Sequence, residues 1–392
     1  MNPMRTFLQD ELAQLEAKDL KRSLRNVDGP QGREIIIDGN KVLNFCSNNY
    51  LGLADDPRLI IAAQESMRQE GFGSGASRLV CGNMSSHRKL EEAIARFKGS
   101  ERCLLFSSGY MANVGIISAL FGREDLIVSD KLDHASILDG ILLSRAEHQR
   151  YPHNDMPALE SILSRSAGFR RRLVVTDSVF SMDGDCAPLV EIIAIARKYD
   201  ALVMVDEAHS FGVLGTNGRG LAEHLGVEDK IDIQMGTLSK AAGAFGAYCC
   251  GNPSLIELVM NRSRSFIYTT AMPPSVAAAA NKAVEIMTLE PWRREQLLKN
   301  ANQLRAGLKE IGFEVLGEQT PIIPVIRKDP ALCLEFSRRL MDRGIFVQAI
   351  RPPTVPVNTA RLRFTVMATH TPQDLQRLLS AVREAGQELA VI

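Results

Sequence analysis

The sequence offers little that could hold a metal or a disulfide framework. Its seven cysteines (Cys46, Cys81, Cys103, Cys186, Cys249, Cys250 and Cys333) are scattered, odd in number and form no CxxC pair. That excludes the common zinc spacing and predicts free buried thiols in a reducing compartment. There is no surplus of charge, with Lys+Arg and Asp+Glu at 46 each. Nothing therefore argues for a nucleic-acid or anionic-membrane partner. No run of about 18 apolar residues exists to span a bilayer. The opening "MNPMRTFLQDELAQLEAK" lacks the apolar core of a signal peptide, so the expectation is a cytoplasmic protein. GxxxxGK[ST] is absent, and the Gly-rich "GFGSGASRLVCG" (71–82) follows no apolar strand. The dinucleotide fingerprint is thus unmet, which argues against a nicotinamide-dependent oxidoreductase. Internal repeats and low-complexity segments are also missing.

What is present suits a globular chain: 45% hydrophobic and 23% charged residues, ample for a sizeable core. A length of 392 exceeds what one core usually supports. The expected division is an N-terminal helix and hairpin arm (1–45), a large domain (46–290) and a small α+β C-terminal domain (291–392). In the arm, apolar spacing predicts a helix over 7–25. "REIIIDGNKVLNF" reads as a hairpin turning at Asp38-Gly39-Asn40. In the large domain, apolar runs at 102–106, 125–129, 172–176, 201–205 and 231–235 alternate with helical stretches. The pattern predicts an α/β fold with a largely parallel sheet covered on both faces. Such sheets bind ligands beyond the carboxyl ends of their strands. In the C-terminal part, "PIIPVI", "IFVQAI" and "RLRFTV" read as strands.

Lys240 is the one charge between Asp232 and Glu257, in "GTLSKAAG" just past a strand end. Desolvation lowers the pKa of an ammonium, and a neutral lysine is a nucleophile for carbonyls. The plain alternative is a surface-loop lysine. Asp206 ends the strand "ALVMVD" and would face the ligand crevice, where an anion keeps a pyridine nitrogen protonated. Alternatively it caps the next segment. His209 and His134 also follow strands, and an imidazole there stacks on a flat ring or simply packs. "SSGYMAN" (107–113) follows a strand and opens a helix, so its amides would attract an anion. Arg351, before two prolines, presents a fork suited to a carboxylate, although Arg351, Arg361 and Arg363 also read as surface charge.

Together these residues resemble a fold-type I enzyme of pyridoxal 5'-phosphate (PLP), more narrowly the α-oxoamine synthases. The matching pieces are "LNFCSNNYLGL", "GSGASRLVCGN", "LFSSGYMAN", "DHASILDG", "VFSMDGD", "MVDEAHSFGVLG", "GTLSKAAG" and "IRPPTVPVNTARLR", in order from about 42 to 363. The resemblance implies a PLP-binding large domain and a homodimer with shared sites. It makes Lys240 the covalent anchor of the cofactor and the α-proton base, with Asp206 at the pyridine nitrogen and His134 over the ring. His209 and Ser181 would bond the ring hydroxyl. Gly109, Tyr110 and Thr237 would hold the phosphate, with Thr269 or Thr270 of a second subunit. Arg351 and Asn49 would bind the amino-acid carboxylate, and Arg22 and Thr354 the acyl substrate. Lys21 and Arg25 flank Arg22 and compete for its place. The implied reaction condenses L-alanine with pimeloyl-CoA or a pimeloyl-carrier protein, with loss of CO2, in the biotin pathway. A glycine C-acetyltransferase reaction is the alternative. Two positions depart from the family pattern: "SFG" after His209, where a "GTG"-like run is common, and Asp177, where Glu is expected.

Overall fold

The apolar runs assemble into one twisted sheet. The computed structural model describes residues 3–17, 20–317 and 319–392, and the chain divides into two units. One comprises residues 48–181 and 185–297 and holds seven strands. These are β1 (Arg102–Phe106), β2 (Leu126–Asp130), β3 (Glu147–Tyr151), β4 (Arg172–Asp177), β5 (Leu202–Asp206), β6 (Ile233–Thr237) and β7 (Ala247–Gly251). Their order across the sheet is β1-β7-β6-β5-β4-β2-β3. β7 alone runs against its neighbours, and the pairs from β6 to β3 are parallel. Parallel strands demand crossovers, supplied here by helices such as α1 (Gly109–Leu120) and α2 (Ala135–Ser144).

Buried Leu104, Phe106, Ile127, Val175, Met204, Ile233 and Met235 pack with Ile116, Ile117 and Ile137 of the two helices. Each such side chain contributes about 1.5–3 kcal/mol by leaving water. Because β2, β4, β5 and β6 are parallel, their final residues Asp130, Asp177, Asp206 and Thr237 share one edge of the sheet.

Two strands escape the apolar-run criterion. β3 ("EHQRY") is an edge strand, paired on one side and only partly buried. It needs no apolar run. β7 ("AYCCG") is buried but carries no Val, Ile or Leu.

The other unit comprises residues 1–47, 182–184 and 298–392. Its hairpin turns at Asp38 (φ 48°) and Gly39 (φ 82°), the paired positive φ of a two-residue connection. Asn40 already belongs to the second strand, Asn40–Asn44, which also takes Ile345–Phe346 as a parallel neighbour. "IFVQAI" is thus split at Val347, and Gln348–Ile350 joins a separate sheet with Ile322–Lys328 and Ala360–Thr365. The first helix is Pro3–Ala17, and residues 20–26 are not helical. The expectation of helix over 7–25 is corrected accordingly, with residues 18 and 19 outside the described set.

All seven cysteines carry free thiols, of which Cys81 is exposed and Cys46 and Cys186 are only partly buried. Among the described residues no helix is long and apolar enough to cross a membrane. Among the same residues no group of three or more His, Cys, Asp or Glu could hold a metal ion.

Candidate active site

At the edge where the parallel strands end lies a cavity of about 200 Å³. Gly109, Tyr110, His134, Ser181, Asp206, His209, Thr237 and Lys240 all line it, with Asn113, Ser136 and Asp177 beside them.

Lys240 sits in the tight connection between antiparallel β6 and β7. The Thr237 hydroxyl donates to the Gly246 carbonyl (3.0 Å), the Leu238 N–H to the same carbonyl (2.9 Å), and the Gly243 N–H to Lys240 O (2.9 Å). Gly243 holds φ +61°, and a Cβ there would lie 2.4 Å from Ala54 N. Close backbone approach thus explains why this stretch is built of small residues. The Lys240 ammonium is 2.7 Å from His209 Nε2. His209 Nδ1 lies 2.7 Å from Tyr50 Oη, and Tyr50 donates its proton to Asn48 Oδ1 (3.2 Å). Nδ1 therefore carries the imidazole proton and Nε2 accepts from Lys240.

Asp206 is almost fully buried. Its Oδ1 accepts from the Ala208 N–H (2.9 Å) and its Oδ2 from Asn113 Nδ2 (2.8 Å). On the adjacent strand, in register, stands Asp177. Burial, and then the Asp206 charge, push the Asp177 carboxyl well above the usual carboxylate range. A buried carboxyl pushed toward its neutral form can act at this edge without adding a second negative charge beside Asp206. Asp177 Oδ2 accepts the backbone N–H of His134 (2.7 Å), which places that histidine at the start of α2. Burial holds the His134 imidazole below its ordinary pKa, against the pull of Asp206.

α1 begins at the same cavity. The Ser108 hydroxyl caps it by accepting from Met111 N–H (3.2 Å). Helix geometry leaves the Gly109 and Tyr110 amides without intrahelical acceptors. The Tyr110 hydroxyl donates to Asp139 of α2.

Thr269 and Thr270, expected from a second subunit, do not line this cavity within the one chain. Asn49 is buried, its Oδ1 accepting from Leu53 N–H (2.9 Å) and Ala54 N–H (3.2 Å). Arg22, Thr354 and Arg351 belong to the other unit. There they line a separate cavity of about 740 Å³ with Lys21 and Arg25, and Arg22 donates to Thr354 Oγ1 (3.0 Å).

A family model described as aminotransferase class I and II matches residues 40–382. An 8-amino-7-oxononanoate synthase of Geobacter sulfurreducens is 51% identical over 391 residues, 99% of this chain and 100% of that protein. The chain belongs to the α-oxoamine synthase family. Solved structures agree on the family's fold, the fold-type I architecture of PLP-dependent transferases. A serine palmitoyltransferase of S. paucimobilis with bound PLP–myriocin matches with TM-score 0.95 at 35% identity, covering 100% of both chains. An 8-amino-7-oxononanoate synthase of Francisella tularensis matches with TM-score 0.77 at 30% identity, over 90% of this chain and 99% of that one.

Proposed function

We propose that this α-oxoamine synthase condenses L-alanine with a pimeloyl thioester, on CoA or a carrier protein, to give 8-amino-7-oxononanoate in biotin biosynthesis. The observation that carries this is the meeting of Lys240, Asp206 and His134 in one cavity at a helix N-terminus. It occurs in a chain 51% identical, over 99% of its length, to a protein of that name.

The cavity fits PLP by its donor set: an amine (Lys240), a buried carboxylate (Asp206), an imidazole (His134) and the outward amides of α1. Bound there, PLP supplies an aldehyde that condenses with amines and a ring that draws electrons from the substrate Cα. Lys240 anchors the cofactor, then takes and returns the proton at Cα, which calls for a neutral amine. Asp206 would keep the ring nitrogen protonated, and His134 would stack on the ring. Ser181 and His209 would bond the ring hydroxyl, while Gly109, Tyr110 and Thr237 would hold the phosphate. A bond forms between alanine Cα and the thioester carbonyl carbon. The thiol then leaves, the carboxylate departs as CO2, and a proton returns to Cα. The substrate roles of Arg22, Asn49, Arg351 and Thr354 belong to the same reading, and each is tested by the KM of its own alanine variant.

The reading includes a cytoplasmic homodimer. Large exposed apolar side chains support the dimer, among them Phe72, Val80 and Leu142.

The test is purified protein with alanine or glycine, crossed with pimeloyl-CoA or acetyl-CoA, following thiol release. Alanine with pimeloyl-CoA should lead in kcat/KM by at least about tenfold. A lead for glycine with acetyl-CoA would transfer the chain to glycine C-acetyltransferase activity.

A further inference from the structure

The hydrogen bonds around Asp206 do not stop at its own strand. Asn113 lies one turn into α1, is 1% exposed, and was not singled out by its sequence context. Its amide nitrogen donates twice, to Asp206 Oδ2 (2.8 Å) and to Ser136 Oγ (2.9 Å). Its carbonyl Oδ1 has no hydrogen-bond partner among the described residues. The amide is therefore held by its two donated bonds. Ser136 Oγ, having accepted one proton, lies 2.7 Å from His134 Nδ1, and the Ser136 backbone N–H also points at that nitrogen (3.3 Å). An amide N–H can only donate, so His134 Nδ1 is an acceptor. The Ser136 hydroxyl then gives its proton to Nδ1, and the neutral imidazole carries its own proton on Nε2. Every bond in the chain Asp206–Asn113–Ser136–His134 thus has a fixed direction.

We propose that Asn113 is a positioning residue, whose amide fastens Asp206 and, through Ser136, His134 into one frame facing the cofactor cavity. The inference deepens the PLP reading and rests on it for the cofactor. It also makes a statement about His134 that holds without cofactor. The frame holds the Asp206 carboxylate at Oδ2, beside the backbone bond at Oδ1, and sets which His134 nitrogen is protonated. Other charged groups around His134 are Asp206, Lys240 and Asp139, with Asp177 on its backbone N–H. None of these donates to Nδ1.

The test uses the full chain labelled with 15N-histidine, with and without PLP, as parent, Asn113→Leu and Ser136→Ala. The His134 signals are assigned by their loss in His134→Asn. In the parent, His134 should show an unprotonated Nδ1 and a protonated Nε2. In Asn113→Leu the Ser136 hydroxyl is freed to accept as well as donate, and only the longer backbone bond (3.3 Å) still holds Nδ1 as an acceptor. A fraction of the Nδ1–H tautomer should then appear, and PLP should bind about tenfold more weakly, the scale of one lost charge-assisted hydrogen bond. Ser136→Ala should alter the His134 tautomer in the same way while changing PLP affinity less. The proposal is overturned by a parent His134 protonated on Nδ1, or by Asn113→Leu with tautomer and affinity both unchanged. If Asn113→Leu does not fold, the parent tautomer and Ser136→Ala still decide. If the parent binds no PLP, the PLP reading fails by itself and the tautomer arms remain decisive.

Discussion

Asp206 and Asp177 end neighbouring strands and bring two carboxyls to one cavity. Asp177 is pushed toward its neutral form first by burial and then by its neighbour's charge. A neutral amide should therefore replace Asp177 and not Asp206. We expect Asp177→Asn to keep kcat within about tenfold, since its acceptor oxygen still serves the His134 N–H. Asp206→Asn should lose at least about a hundredfold. Parallel steady-state assays decide it, and equal losses would remove the division of roles. At this scale the sequence speaks unevenly. Lys240 stands out because charge is rare in its stretch, and Asp206 because it ends an apolar strand. Asn113 and Ser136 do not, because a single polar residue in a helical run is ordinary until its burial is known. Asp177 was visible only as a departure from the family pattern.

Among the elements, the segment that follows Asp206 is held by a buried ion pair. Lys98 donates to Glu207 and to the Arg219 carbonyl, and both side chains of the pair are fully buried. Glu207 also accepts the Ala222 N–H (3.1 Å). Removing one partner strands the other charge in the interior, which costs about 3–5 kcal/mol. Lys98→Met should lower unfolding stability by that amount in urea titration, and Lys98→Met/Glu207→Gln by less. A single variant as stable as the parent would contradict the burial argument. In the other unit, His370 ties the end of the hairpin. Its Nδ1 accepts from Met367 N–H (3.0 Å), its Nε2–H donates to Asn44 O (3.1 Å), and its ring stacks on Phe45 (4.1 Å). Burial lowers its pKa to about 4. The unfolded chain then binds the proton more readily, so this contribution is complete above the ordinary imidazole pKa of about 6.5 and is lost as pH falls toward about 4. An NMR titration of His370 should show a midpoint near that low value, and one near about 6.5 would refute it. Elements were readable where burial writes an apolar run, as in β2, β4 and β5. They were not where an edge strand stays polar (Glu147–Tyr151), where a buried strand lacks branched aliphatic residues (Ala247–Gly251), or where apolar spacing continues past the helix end at Ala17.

For the whole molecule, the ordered motifs from 42 to 363 made the family readable, because several of them, such as "LFSSGYMAN", "MVDEAHSFGVLG" and "GTLSKAAG", mark strand ends that the sheet brings to one edge. They did not reveal that residues 1–47 and 298–392 cluster in one unit, since parallel pairing of Leu43 with Ile345 joins positions far apart in sequence. The proposed homodimer would bury exposed apolar side chains, and Val80 and Leu142, exposed at 78% and 77%, are candidates for its interface. Val80→Glu/Leu142→Glu should shift sedimentation from dimer to monomer, and an unchanged dimer would place the interface elsewhere. The most direct test of the whole account is borohydride reduction of the PLP-loaded protein, followed by peptide mass spectrometry. The account predicts a pyridoxyl phosphate adduct on Lys240 alone, absent from Lys240→Ala together with turnover. An adduct on another lysine, or none, would contradict it.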